Sequence, residues 1–181
     1  MQTMGLISRF LGIQSKQQEK MTPEGLAAAL FVAMVNNKKD IEITLQNFST
    51  ISTHDVELEL KFLKVFSMFH LIQTTVKDDK LMNAILKAFY SFFLSKSSED
   101  YFGCPFESIS EKLDMRIHKY SDAISEPNPH GPPYGIGKQF SRFIGYENDY
   151  DSTYRGALFF TSELKFKGPV LDNILKQYKF D

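Results

Sequence analysis

The chain has one cysteine and no tryptophan. A lone thiol, Cys104, cannot close an intrachain disulfide, so a reducing compartment suits it. Net charge is also lacking: the formal value is −1. A duplex-binding protein needs clustered cations to displace condensed counterions, and here the lysines are scattered among carboxylates, which excludes nucleic acid as the expected partner. Long apolar runs are missing too. The longest, Leu26 to Val35, is about half of the roughly twenty residues that a membrane span requires. The N-terminus lacks the order of a secretory signal, since Arg9 interrupts its short apolar run. These absences lead us to expect a bacterial protein of the cytoplasm.

What is present is phenylalanine. Seventeen of them, with eight tyrosines, make the chain 14% aromatic within a 43% hydrophobic whole. From Val56 to Leu94 they recur with leucine and isoleucine at helical spacing. That pattern predicts buried helices, and an all-α up-and-down bundle of about four main helices with short additional helices at the C-terminus. We divide the chain into an amphipathic turn and polar tether (1–20), a helical core (21–125) and a proline- and glycine-rich loop with short helices packed on that core (126–181), all within one domain.

In the first part, Met4, Ile7, Phe10 and Leu11 can share one side of two helical turns. That segment could lie on a membrane surface, but it has few of the cations such helices carry, and docking on its own domain is the plainer reading. Thr22-Pro23 then opens a helix as N-cap and first helical residue. No charge occurs from Gly25 to Val35, so this helix should be central or shared with a second subunit. Leu26, Leu30, Phe31 and Met34 are therefore candidate interface residues. The segment 41–48 alternates like a strand and then reads as helix; we assign helix.

Ser52-Thr53-His54-Asp55 is a helix start. Stepping about 100° per residue, Val56, Leu60, Leu63, Phe66 and Leu71 share one face, and Leu58, Phe62, Val65, Phe69 and Ile72 the opposite one. Glu57, Lys61 and Lys64 should form a narrow wet strip between them. Asp78-Asp79-Lys80 starts the next helix, and the short connection predicts an antiparallel pair. A helix from Cys104-Pro105 has the stripe Phe106, Ile109, Leu113, Ile117, Tyr120 and Ile124. Beyond the loop, 136–144 reads as a short helix, 154–166 is ambiguous between helix and strand, and Pro169 should open a terminal helix.

Candidate sites are few. Glu107, Glu111, Asp114 and His118 lie at i, i+4, i+7 and i+11 on one helix flank, a set of oxygen and imidazole ligands that suits Zn, Mn or Fe. A carboxylate bundle site, however, uses acids from several helices and Glu-x-x-His pairs, and no Glu-x-x-His occurs. The plainer reading is a solvated face with Asp114 and His118 paired. Four of the seven prolines lie between 127 and 133, marking an ordered loop. After it, Gly135, Gly137, Lys138 and Arg142 could hold an anion at a helix start, although the strand and Gly-Lys-Ser/Thr ending of a phosphate loop are absent. Residues 146–151 resemble a calcium loop but lack its glycine and terminal glutamate; Tyr134, Tyr146 and Tyr150 suit an interface instead. His70 reads as a core histidine. There is no nucleophile elbow, no Cys-x-x-Cys and no catalytic triad order, and no motif indicates a cofactor.

The expected function is therefore protein–protein interaction or self-assembly without catalysis, with a homo-oligomer or another protein as partner. The alternatives are a small-ligand or metal-binding protein or enzyme, with a cleft between the 126–142 loop and the 105–124 helix, and a peripheral membrane protein attached through residues 4–11.

Overall fold

The computed structural model describes residues 19–36, 39–48, 53–95 and 97–180. The amphipathic turn at 4–11 and the Ser52 cap lie outside the described residues. The described chain is an all-α helical bundle with a two-stranded ribbon at its ends.

Strand β1 (Glu19–Met21) leads into α1 (Pro23–Asn36), where Thr22 Oγ1 accepts the Gly25 N–H at 3.0 Å, the cap the sequence foretells. α2 (Lys39–Leu45) is helical, as assigned. Then come α3 (Thr53–Thr75) and α4 (Asp79–Phe93), the latter capped by Asp78 Oδ1 on the Leu81 N–H at 2.7 Å. α5 (Ser97–Phe102) carries Tyr101 and Phe102 into the core; a six-residue helix shows no periodicity to read. α6 (Phe106–Ser125) begins where Glu99 Oε1 accepts the Phe106 N–H at 2.9 Å, so Glu99 caps that end and Cys104 is only half-buried beside it. α7 (Pro132–Phe143) follows the proline loop.

The expected C-terminal pieces are one helix of 28 residues, α8 (Tyr150–Gln177), which runs straight through Pro169. An interior proline removes one N–H and crowds the preceding turn. Here Gly168 precedes it and has no side chain for the ring to strike, while Leu171 is buried and Ile174 and Leu175 pack on the core beyond it. The chain ends in β2 (Tyr178–Phe180), parallel to β1 with Met21 beside Phe180.

α3 is the hub: α2, α4, α6, α7 and α8 all pack on it. Its two apolar faces feed two separate clusters. Val56, Leu60, Leu63 and Phe66 meet Tyr120, Ile136, Phe140 and Phe160, whereas Phe62, Val65, Phe69 and Ile72 meet α1, α4 and α5. Leu71 departs from the expected grouping and joins the second set. The expected wet strip is also covered. Glu57 and Lys61 form their i,i+4 pair at 2.6 Å, but Lys61 is buried and Lys64 is 0% exposed. α4 touches α3, yet lies chiefly along α1, where Phe31 stacks on Phe92 with ring centroids 5.2 Å apart. Only one side of α1 is covered, and Val32 on the other is 54% exposed.

Glycine lets α7 approach its neighbours closely. A Cβ at Gly137 of α7 would stand 2.0 Å from the Thr153 carbonyl oxygen of α8, and one at Gly135 would stand 2.4 Å from the Ala123 oxygen of α6. Gly156 of α8 makes room in turn for the Phe140 ring. Alanine normally improves a helix over glycine by about 1 kcal/mol. Gly137→Ala should instead destabilise by about 1–3 kcal/mol through backbone overpacking, lowering the melting temperature by several degrees. Gly25→Ala, whose Cβ meets nothing closer than 3.4 Å, should not; thermal denaturation of both variants checks the contrast.

Candidate functional site

Two buried ionic groups were invisible in the sequence. In the first, Glu59 of α3 accepts from Arg116 Nε at 2.8 Å and from the Tyr120 hydroxyl at 2.7 Å, both on α6. The Arg116 guanidinium lies 3.6 Å from the centre of the Phe143 ring of α7. Burial raises the Glu59 pKa, against the pull of Arg116 and Tyr120. With both carboxylate oxygens used, this group ties three helices together.

The second opens on a groove. Lys64 Nζ of α3 donates to Asp40 Oδ1 of α2 at 2.8 Å. Asp40 also shares a hydrogen bond with Glu163 of α8, and Lys167, one turn further along, pairs with Glu163. Burial, and then the hydrogen bond with Asp40, push the Glu163 pKa up to about 7, against Lys167 and Lys64. Burial alone would raise Asp40 as well, but its bonds to Glu163 and Lys64 and the charges of Lys64 and Lys167 outweigh that and hold it below its usual value. Burial and the charge of Lys167 lower Lys64, opposed by Asp40 and Glu163. Asp40 is thus held toward its charged form and Glu163 toward its neutral one. Tyr101 lies within the field of the same carboxylates; burial and those charges drive its phenol well above the ordinary range and keep it neutral.

Above this pair lies a cavity of about 500 Å³ between α2 and α8, with Ile43, Asn47, Leu158, Phe159, Ser162 and Phe166 among its walls. Its rim is apolar and wet: Ile43 and Leu158 are each 52% exposed and Phe166 is 72% exposed. These belong to a longer feature. Tyr150, Tyr154, Leu158, Ser162, Phe166 and Val170 follow each other at four-residue steps on α8, and all except Ser162 are exposed large side chains. The Tyr150 and Tyr154 rings stack 6.5 Å apart.

The residues singled out from sequence fall elsewhere, with two exceptions. Tyr150 belongs to the α8 row and Tyr146 is exposed just before it. Leu26, Leu30, Phe31 and Met34 are buried in the chain's own core against α4, so that face is already occupied. Tyr134 is half-buried beside His130.

Gly135 and Gly137, read as part of an anion site, lie within α7. Pro132 and Pro133 have no N–H to offer at the start of α7, the Tyr134 N–H is taken by the Gly131 oxygen at 3.2 Å, and both glycines serve helix contact. Arg142 pairs with Glu147, and Lys138 is exposed. Where a cleft against the 105–124 helix is expected, Glu126, Asn128, Lys138, Gln139 and Arg142 line a cavity that touches that helix only at Ala123 and holds about 120 Å³, below the roughly 300 Å³ where organic-ligand sites begin.

Glu107, Glu111, Asp114 and His118 are all exposed along α6. Asp114 accepts from the Tyr90 hydroxyl, and His118 faces Asp122 at 3.5 Å in place of the expected Asp114–His118 pair. Among the described residues no group of three or more His, Cys, Asp or Glu side chains is placed to hold a metal ion. His70 is half-buried against Phe66 and Phe160, and burial lowers its pKa. Among the described residues no helix is long and apolar enough to cross a membrane.

The sequence does not display the α8 row, because Pro169 divides 154–166 from the segment that follows. A single helix drawn through Pro169 exposes it. Asp40, Lys64 and Glu163 carry no such signal, because only tertiary packing joins them.

The raised Glu163 pKa has a signed consequence. Glu163 binds its proton more tightly folded than unfolded, so its contribution is complete below its ordinary value of 4.5 and is lost as pH rises through about 7. Stability should fall between pH 5 and pH 8. Glu163→Gln, which cannot ionise but can still donate to Asp40, should lose less stability over that interval than the native chain. Melting curves of both proteins at the two pH values test this, and taking their difference cancels His70 and the other titrating groups. No protein-family model matches the chain, and no curated protein and no solved structure shows significant similarity to it.

Proposed function

We propose that this protein is an interaction module that docks a helix of another polypeptide onto the outer face of α8 and the α2–α8 groove. The observation that carries this reading is the i, i+4 row of exposed aromatic and aliphatic side chains beside a cavity with an apolar rim. Single exposed apolar residues are ordinary; a contiguous row rimmed by polar groups marks an interaction face. Tyrosine and phenylalanine are the residues that interfaces concentrate, and a groove beside a helix accepts side chains at i, i+3, i+4 and i+7 of a partner helix. A small molecule in the cavity would leave most of the row wet, whereas a helix crossing α8 at Leu158 covers its middle, the row winding about 40° around α8 per four-residue step.

In this reading the Asp40–Lys64–Glu163 network does no chemistry. It fastens α2 to α3 and α8 and so holds one wall of the groove. The cytoplasmic setting expected from the lone cysteine belongs to the same proposal.

The test is site-specific photo-cross-linking in the cells that make the protein. A photoreactive residue replacing Leu158 should give discrete protein adducts, and the same residue at Met115, exposed on α6, should not. Equal, low cross-linking at the two positions would overturn the reading.

A further inference from the structure

We infer that the polypeptide docked on this face is a second copy of the same chain, the two α8 helices crossing about a twofold axis at Leu158. The inference rests on the docking reading above and specifies its partner.

The row is symmetric about Leu158. Tyr150 and Phe166, each 72% exposed, stand eight residues before and after it; Tyr154 and Ser162 stand four before and after. A twofold crossing at Leu158 therefore sets Leu158 on its own copy. It also places bulky Tyr154 opposite small Ser162, on the wall of the cavity, while Tyr150 and Phe166 turn about 80° to either side of Leu158 and flank the crossing. An i±4n ridge is the surface that interdigitates with another of its kind, at a crossing angle of about −50°. Such a contact is isologous and closes at two subunits.

The charges have the same symmetry with opposite sign. Asp151 and Lys165, both exposed, stand seven residues before and after Leu158. The first half of the face carries Asp149 and Asp151, and the second half Lys165, Lys167 and Lys176. Arg155 and Asp172, also on this helix, pair within their own chain, with Asp151 and Lys176. A twofold crossing brings Asp151 of each chain toward Lys165 of the other, twice. A parallel alignment would set Asp151 on Asp151 and Lys165 on Lys165, which like-charge repulsion disfavours. Asp151 is already bonded to Arg155 of its own chain at 2.6 Å, and that pair fixes the carboxylate on the ridge where the copy's lysine arrives.

Sedimentation velocity of the full chain over a wide concentration range reads the outcome. The native protein should reach twice its 20.8 kDa chain mass. Leu158→Arg should remain a monomer, and its melting curve should match that of the native chain at concentrations low enough for both to be monomeric. Asp151→Lys and Lys165→Asp should each weaken self-association about tenfold. An equimolar mixture of these two variants should regain the dimer, seen by native mass spectrometry as the mixed species. In the mixed dimer both charge contacts again join a lysine to an aspartate, one between the two substituted side chains and one between the two native ones. That rescue does not depend on Leu158→Arg folding. A native chain that stays monomeric, a dimer indifferent to Leu158→Arg, or variants that fail to rescue each other would overturn the inference. Cross-links from position 158 to other proteins alone would sink the second-copy inference and leave the docking reading standing; no cross-links together with a monomer would sink both.

Discussion

The apolar side chains of α3 point in two opposite directions, and a helix built that way must be covered twice. One face is closed by α1, α4 and α5 together with Ile109 and Leu113 of α6 and Leu171 of α8, the other by α2, α7 and the remaining buried apolar residues of α6 and α8. Burial on both sides leaves no water for the polar residues between the faces, so each needs a partner inside the protein. Glu59 finds Arg116 and Tyr120, and Lys64 finds Asp40. The buried ion pairs thus follow from the hydrophobic pattern. They are the polar residues of a helix whose surroundings closed over it, and they select which helices lie alongside.

The same constraint shapes the outer surface. α7 is pressed between α6 and α8 at distances that only Gly135 and Gly137 allow, and α8 lies along both α7 and α3. The inner side of α8 is therefore committed to the core, with Phe159, Phe160 and Leu171 buried there. Its outer side keeps the row from Tyr150 to Val170. α2, fastened by Lys64 and Glu163 through Asp40, turns the edge of that row into a groove. The proposed docking face is thus the back of a helix whose front completes the bundle.

How far the sequence could lead depends on the kind of interaction. Helical spacing made the two faces of α3 legible almost residue by residue, because periodicity is a local property that burial must respect. The Thr22 and Asp78 caps were legible for the same reason. Pro169 misled, since a proline that normally begins or ends a helix is tolerated when glycine precedes it and tertiary contacts hold the far side. The charge-free stretch of α1 misled in another way: lack of charge permits burial all round but does not compel it, and Val32 is left outside. Lys64 looked like a solvated residue because nothing within its own helix announces that Asp40 will reach it. The candidate site is made of such non-local meetings, and only the α8 row, once read as one helix, had a pattern to find.

Native-state hydrogen exchange of α3, followed by mass spectrometry at increasing denaturant, tests the two-sided burial most directly. The account predicts that the amides from Leu60 to Ile72 exchange only through global unfolding, with the slowest rates in the molecule. Exchange of that segment through local opening, at rates that denaturant hardly changes, would contradict it.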